Sequence, residues 1–199
     1  TRQGIYEGVV ETRTLLRHIT DIQIQTARYA NPLTMLPGNV LIDEHIDQLC
    51  MSGQEFQLLY LDLNNFKPYN DLYGYRQGDA VLRAMGNILV KEATPEHFVG
   101  HIGGDDFVIV AQLQDASTLC QRIIGNFLSK TEDFHHPDDV QQGYLLVADR
   151  EGKSNQVPLL GLSIGVVPSE LIHHGDTQAL AVLTAIAKKR AKAQPGSSW

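Results

Sequence analysis

A four-residue turn between two apolar segments constrains the fold of this chain more than any other feature. Phe98 to Ile102 and Phe107 to Ala111 have the length of strands, and Gly103-Gly104-Asp105-Asp106 lies between them. This arrangement predicts a β-hairpin. Because hairpin strands are antiparallel, the sheet is at least partly antiparallel, and a doubly wound parallel fold is excluded.

The rest of the chain predicts helices and two more strands around this hairpin. We expect strands at 56–61 and 159–167, and helices at 41–51, 117–127, 177–193 and after Gly78-Asp79. The order after the leading helices is therefore β-α-β-β-α-β-α. This order indicates a mixed α/β (α+β) fold with a central, mostly antiparallel sheet flanked by helices.

The domain boundaries follow from breaks in these patterns. Residues 1–30 are predicted to form an N-terminal connector helix, ended by the Asn31-Pro32 step. This helix either packs on its own domain or forms a short coiled coil that pairs two copies and relays a signal from upstream. Residues 31–194 form the main domain, with an insertion at 130–157 that we expect to contain a hairpin whose tip is 149–152. Residues 195–199 are predicted to be a frayed tail.

Composition limits the classes of partner and compartment. The net charge is −7, from 16 basic and 23 acidic residues, which argues against coating nucleic acid or an anionic membrane. No stretch approaches the ~18 apolar residues of a membrane span, and the first residues carry no signal peptide. Cys50 and Cys120 form no CxxC spacing, so we expect buried free thiols and a cytoplasmic location. The chain begins at Thr1, and we expect it to be part of a longer polypeptide.

Acidic residues follow two predicted strands that belong to the same sheet. Asp62 ends the strand that begins at Phe56, and Asp105 and Asp106 lie at the hairpin turn. If these strands pair, the carboxylates meet and raise one another's pKa unless a cation lies between them. Oxygen ligands of this kind suit Mg²⁺, and the two glycines allow close approach of a ligand. The pattern indicates metal-assisted phosphoryl or nucleotidyl transfer, although the tetrapeptide alone more often forms an ordinary turn.

Five segments in chain order resemble the motifs of the GGDEF family, the diguanylate cyclases. They are Asn31 to Pro37, Leu61 to Asp71 with its continuation through Gly74-Tyr75 and Gly78-Asp79, His101 to Phe107, Ser163 to Val166, and Ala187-Lys188. Together they cover about residues 31 to 192. The resemblance implies a palm-like sheet related to that of adenylyl cyclases and polymerases.

The resemblance also implies roles for particular residues. Metal ligands, for Mg²⁺ or Mn²⁺, would be Asp62, the Leu63 carbonyl and Asp105. Catalytic residues would be Asp106, Asp105 and Asp62, with Asp106 near the attacking 3′-hydroxyl. Residues that bind GTP would be Asn70 and Asp79 at the guanine, and Phe66, Lys67, Gly103, Gly104, Leu36, Lys188 and Lys192 elsewhere.

The implied reaction joins two GTP molecules, held by two facing copies of the domain, into cyclic di-GMP. The wording of the motifs resembles GGDEF domains that follow EAL phosphodiesterase and CBS domains, so such upstream domains are expected partners. The alternative is a catalytically weak GTP-binding module that regulates a linked EAL phosphodiesterase.

The sequence departs from the family pattern at several positions. Asp106 replaces the usual Glu, Asn64 the second acid, Tyr75 a histidine and Lys192 an arginine. The R-x-x-D of the family's product-inhibition site is replaced by Thr94, Pro95, Glu96 and His97. We therefore expect reduced turnover and no feedback site of this kind.

Overall fold

The computed structural model describes residues 9–148, 152–173, 175, 177–193 and 197–199. The helices are α1 (Thr12–Tyr29), α2 (Asn39–Ser52), α3 (Phe66–Tyr73), α4 (Tyr75–Glu92), α5 (Ala116–Leu128), α6 (Thr131–Phe134), α7 (Pro137–Gln142) and α8 (Thr177–Lys192). The strands are β1 (Gln57–Asn64), β2 (Phe98–Gly103), β3 (Asp106–Ala111), β4 (Tyr144–Ala148), β5 (Ser154–Pro158) and β6 (Gly161–Pro168). A 3₁₀ turn spans Ser169–Leu171.

The main sheet has the strand order β2-β3-β1-β6, and each neighbouring pair is antiparallel. Helices flank it, so the predicted fold class is confirmed. The hairpin that joins β2 to β3 carries Gly103 to Asp106, as predicted, while β1 and β3 pair although two helices separate them in the chain. This pairing brings the end of β1 to the hairpin turn.

Alternation along β1 divides its side chains between two cores. Leu59, Leu61 and Leu63 belong to the core beneath α3, α4 and α5, whereas Leu58 and Tyr60 contribute to the core beneath α2 and α8. Successive side chains of a strand point to opposite faces, so Asp62 lies on the same face as Tyr60. The leucines are almost completely buried, and each full burial stabilises the fold by about 1.5–3 kcal/mol.

Helix α8 approaches β6 closely because Gly165 has no side chain. A Cβ atom at Gly165 would lie 2.7 Å from both the carbonyl carbon and the Cβ of Ala187, and 2.9 Å from the nitrogen of Lys188. These distances are shorter than van der Waals contact, so only glycine permits this packing. Gly165 thereby determines where Lys188 sits over the sheet.

The region predicted as an insertion contains α6, α7 and the antiparallel pair β4–β5. The predicted hairpin is therefore present, although residues 149–151 of its tip lie outside the described residues. The Tyr69 hydroxyl donates to the Phe134 carbonyl at 2.6 Å, and the buried His135 packs edge-on against Tyr69 and Tyr73. These contacts pack the 130–157 region against α3.

The two ends of the chain differ in how they pack. In α1, the apolar side chains of Leu15, Ile19 and Ile22 form a stripe that remains 42–52% exposed, so packing on its own domain does not cover it.

At the other end, the expectation of a frayed tail is wrong for residues 197–199. The Ile164 amide donates to the Ser198 carbonyl at 2.9 Å, and the Ser198 amide donates to the Leu162 carbonyl at 3.0 Å. These bonds pair the end of the chain with the open edge of β6, which satisfies backbone groups there.

The start of α4 and the state of the two cysteines can also be compared with the sequence predictions. Helix α4 begins at Tyr75 rather than after Gly78-Asp79, since Gly74 at φ 83° turns the chain out of α3. Cys50 and Cys120 are both free thiols, of which only Cys120 is fully buried.

Among the described residues, the structure contains no helix with the length and apolar character that crossing a membrane requires.

Candidate functional site

Three carboxylates converge where β1 ends beside the hairpin turn. Asp62 of β1 lies directly opposite Asp106 of β3 in the strand register. The Leu63 amide donates to the Asp105 carbonyl at 3.4 Å, which places Asp105 beside the next residue of β1. Asp62 is only 3% exposed. The structure therefore brings together the three predicted acidic residues and Leu63.

The backbone of the turn requires glycine because of its conformation and not because of crowding. Gly103 has φ +151° and Gly104 has φ +56°, and a Cβ built at either residue would meet no atom within 4 Å. Residues with side chains rarely adopt such positive φ values. The open space above the turn leaves room for a ligand next to the carboxylates.

Two lysines of α8 form ion pairs with Asp62 and Asp106. The Lys188 ammonium lies 2.6 Å from Asp62 Oδ2 and 2.6 Å from Asp106 Oδ1, and Lys192 forms an ion pair with Asp62 Oδ1. Burial alone would lower the pKa of Lys188, but its hydrogen bonds to Asp106 and Asp62 raise that pKa well above its usual value. Lys188 is therefore fully charged at neutral pH and joins the two strands electrostatically.

The carboxylates of the turn are less acidic than free aspartates. Burial raises the pKa of Asp105, and the charge of Asp62 raises it further. Burial also raises the pKa of Asp106, against the opposing effect of Lys188. Both groups therefore hold a proton more readily than an exposed aspartate does.

Tyr60 belongs to this site, although motif comparison did not select it. It lies two residues before Asp62 on the same face of β1, and the Asp106 carboxylate is close enough to affect its hydroxyl electrostatically. The Lys188 ammonium lies 5.0 Å from the centre of its ring. Burial, together with the charge of Asp106, raises the pKa of Tyr60 to about 12. Strand alternation was the only signal in the sequence that pointed to it.

The predicted guanine-binding residues meet at the junction of α3 and α4. A Cβ at Gly78 would lie 1.9 Å from Asn70 Oδ1, so the amide of Asn70 packs directly on the backbone that precedes Asp79. Asn70 Oδ1 is buried and has no hydrogen-bond partner among the residues that the structure describes. Buried polar atoms are normally paired, so an unpaired acceptor here favours a ligand that supplies a donor.

The remaining predicted contacts have different surroundings. Lys67 is exposed in the first turn of α3, where Asn65 at φ 63° lets the helix start immediately after β1 and leaves main-chain N–H groups free. Phe66 is 8% exposed and Leu36 is 7% exposed, and both belong to the core on the face opposite Tyr60. The side chain of Leu36 packs 3.4 Å from the position of a Cβ on Gly86, so the structure does not bring it to the carboxylates.

Comparison with known proteins agrees with this arrangement. The family described as "Diguanylate cyclase, GGDEF domain" matches residues 29–197. The bifunctional diguanylate cyclase/cyclic di-GMP phosphodiesterase MucR of Pseudomonas aeruginosa is 31% identical over 108 residues, which are 51% of this chain and 16% of MucR. The diguanylate cyclase DgcZ of Escherichia coli is 32% identical over 91 residues, which are 45% of this chain and 31% of DgcZ. The matched segments are thus less than a third of the length of these relatives.

Solved structures share the fold. The diguanylate cyclase SiaD of Pseudomonas aeruginosa, in complex with its activator SiaC, has a TM-score of 0.66 at 22% identity, over 92% of this chain and 65% of that chain. The S helix-GGDEF-EAL portion of Vibrio cholerae LapD, bound to c-di-GMP, has a TM-score of 0.64 at 16% identity, over 94% of this chain and 40% of that chain. At these identities the likeness concerns the fold alone. The family match covers most of the chain and includes the carboxylate-bearing hairpin, and the chain therefore belongs to the GGDEF domain family.

Proposed function

We propose that this domain is a diguanylate cyclase that joins two GTP molecules into cyclic di-GMP. The observation that carries the proposal is the register of β1 and β3, which sets Asp62 opposite Asp106 beneath two cationic side chains of α8. An acidic cluster with adjacent lysines suits a reaction on phosphates, since the lysines attract the phosphates and the acids hold a metal or a proton.

The donor set fits Mg²⁺ or Mn²⁺. Asp62, Asp105 and the Leu63 carbonyl would hold the ion, and all three offer the oxygen ligands that these cations prefer. Burial raises the pKa of Asp105 and the charge of Asp62 raises it further, so a cation bound there would favour the charged form of Asp105. Among the described residues no three His, Cys, Asp or Glu side chains form a metal cluster. Two carboxylates suffice for an ion that shares its shell with water and phosphate. When bound, the ion would neutralise charge on the triphosphate.

Other residues of the protein would bind the guanine base and the triphosphate. Asn70 and Asp79 would bind the guanine edge, which selects GTP over ATP. Lys67 and the free N–H groups of α3 would bind the triphosphate. Lys188 and Lys192 would leave the carboxylates and contact phosphate oxygens. The α8 lysines therefore act as counter-charges for the acids before the nucleotide arrives.

Asp106 would take the proton in the chemical step. The 3′-hydroxyl of one GTP attacks the α-phosphate of the other, its proton passes to Asp106, and pyrophosphate leaves. Burial raises the pKa of Asp106, which suits a group that accepts a proton near neutral pH. Two such steps close the ring, so two copies must face each other, and the exposed apolar stripe of α1 is a surface through which they would pair.

A product assay tests this proposal directly. The purified domain is incubated with GTP and Mg²⁺, and the nucleotide products are identified by mass spectrometry. We expect cyclic di-GMP from GTP, no cyclic product from ATP, and a rate that rises more steeply than linearly with protein concentration. Asp79→Ala should raise the KM for GTP. Absence of cyclic di-GMP at high protein concentration would contradict the proposal.

One observation favours a second candidate, a GTP-binding module of low activity that regulates a linked EAL phosphodiesterase. Asp106 is a short acid already engaged by Lys188 and Tyr60, and a catalytic group held in this way reaches less far. Calorimetry with GTP separates the two functions. Binding that Asp79→Ala abolishes, without any cyclic product, would support the regulatory role. For either role we propose a cytoplasmic location and upstream EAL, CBS or other sensory domains as partners.

A further inference from the structure

His101 is a buried histidine that contacts the turn between β2 and β3 and that the proposed reaction does not use. It is 1% exposed. Its Nδ1 atom lies 2.9 Å from Thr34 Oγ1, and its Nε2 atom lies 3.0 Å from the Gly104 carbonyl oxygen. Both ring nitrogens of this side chain are therefore engaged.

The partners determine the tautomer of the ring. The Gly104 carbonyl can only accept, so Nε2 carries a proton and donates it. In the neutral ring Nδ1 then accepts from the Thr34 hydroxyl. Burial lowers the pKa of His101, which keeps this neutral form dominant at physiological pH.

His101 connects the segment 31–37 with the β2–β3 hairpin to which it belongs. Its amide donates to the Pro37 carbonyl at 2.8 Å, and its ring stacks on Phe107 of β3 with 4.1 Å between centroids and 13° between planes. The backbone and the ring of His101 together thus link the segment 31–37, strand β3 and the turn. Thr34 also contacts α4, at the position where a Cβ on Gly86 would come within 3.4 Å.

Among the described residues, the peptide that joins Gly104 to Asp105 has few other restraints, whereas Asp106 is also held by its pairing with Asp62 and by Lys188. A Cβ at Gly103 or Gly104 would meet nothing within 4 Å, and the bond from the Leu63 amide to the Asp105 carbonyl is long at 3.4 Å. The contact from His101 Nε2 to Gly104 is shorter, at 3.0 Å. It acts on the peptide immediately before Asp105.

We infer that His101 is a positioning residue, which fixes the Gly104 carbonyl and thereby aims Asp105 and Asp106 at the reacting groups. The inference rests on the proposed function, because it assigns these two acids to the chemistry. His101 itself touches no substrate. Displacement of a catalytic group by ~1 Å can lower a rate by about 100-fold, so loss of the restraint should be visible in turnover.

Substitutions separate positioning from mere support of the fold. His101→Phe keeps a ring that can stack on Phe107 but removes both hydrogen bonds, and we expect kcat to fall about 10- to 100-fold. The KM for GTP should change less than about twofold, because the contact of Asn70 with Gly78 is untouched. His101→Gln retains an amide donor for Gly104 and should recover most of kcat. His45→Phe is the matched control, since His45 is another histidine stacked on a phenylalanine, Phe98, and it should leave kcat unchanged.

Nuclear magnetic resonance of the ligand-free protein tests the inference without the reaction. Among the eight histidines, the signals missing in His101→Gln identify His101, and we expect its proton on Nε2. In His101→Phe the amide signals of Gly104 and Asp105 should move, while those of Asn70 and Gly78 stay in place.

Four results would overturn the inference. They are a proton on Nδ1, unmoved turn signals in His101→Phe, an unchanged kcat in that variant, and a loss of kcat that His101→Gln fails to restore. A domain that makes no cyclic di-GMP would refute the proposed function, and the resonance measurements would still decide whether His101 holds the turn.

Discussion

Asp62 and Asp106 face each other across the β1–β3 register, and the single ammonium group of Lys188 lies 2.6 Å from an oxygen of each. A buried and a half-buried carboxylate this close repel strongly unless a cation separates them. Lys188 supplies that cation in the protein without ligand. The arrangement makes the α8 lysines and any bound metal alternative partners for the same acids.

Asp62→Asn should abolish cyclic di-GMP formation, by at least about 100-fold, with little change of fold. The substitution removes the charge that would hold the metal but keeps the size of the side chain, and Lys188 retains Asp106 as a partner. Initial rates with GTP and Mg²⁺ measure the effect, and circular dichroism verifies the fold. Unchanged turnover would remove Asp62 from the mechanism.

Tyr60→Phe should lower kcat about tenfold or more while GTP affinity stays constant. The hydroxyl interacts with the nearby Asp106 carboxylate, and a polar interaction with a charged group contributes about 1.5–3 kcal/mol. Steady-state kinetics separate kcat from KM. Tyr144→Phe in β4 is the matched control and should have no effect. A rise in KM with normal kcat would instead assign Tyr60 to substrate binding.

Gly165→Ala should destabilise the domain by about 1–3 kcal/mol, the usual cost of overpacking, and should lower activity as well. The added methyl group would lie 2.7 Å from Ala187, so α8 must move away and carry Lys188 with it. Urea unfolding gives the free energy. Gly125→Ala is the control, because a Cβ there meets nothing within 4 Å in α5. It should stabilise the domain by about 0.5–1 kcal/mol. Equal stability of the two variants would contradict the close approach of α8.

His135 should make the free energy of unfolding fall as the pH is lowered below about 6.5, the usual histidine pKa. Its Nδ1 donates to the Thr131 carbonyl at 2.7 Å, and its Nε2 accepts from the Leu160 amide at 3.3 Å. Protonation would set a hydrogen on Nε2 against that amide. Burial accordingly lowers the pKa of His135, so the unfolded chain binds the proton more readily and stability decreases with falling pH.

Comparison with a variant isolates this contribution from those of other groups. The wild type should lose up to about 1.4 kcal/mol per pH unit for this one proton. His135→Gln should lose less between pH 7 and pH 5, whatever its stability at pH 7. Urea midpoints at several pH values measure both slopes. Identical slopes in the two proteins would show that His135 titrates normally in the fold.

The sequence by itself determined the elements that depend on neighbouring residues. The glycines and aspartates between two apolar segments predicted the hairpin, and the antiparallel sheet followed, because turn chemistry and strand alternation are local properties. The same motifs were sufficient to identify the family. The ends of helices and strands moved by several residues, since those depend on what packs against them.

The tertiary structure alone decided which side chains surround the carboxylates. Lys188 and Asp106 are 82 positions apart, and they meet because α8 rests on Gly165. His101 and Thr34 are 67 positions apart, and Ser198 pairs with β6 through backbone bonds to Leu162 and Ile164. No local pattern encodes such contacts, because they depend on how closely distant elements pack. The packing of α8 on the sheet places Lys188 and Lys192 beside the carboxylates of Asp62 and Asp106.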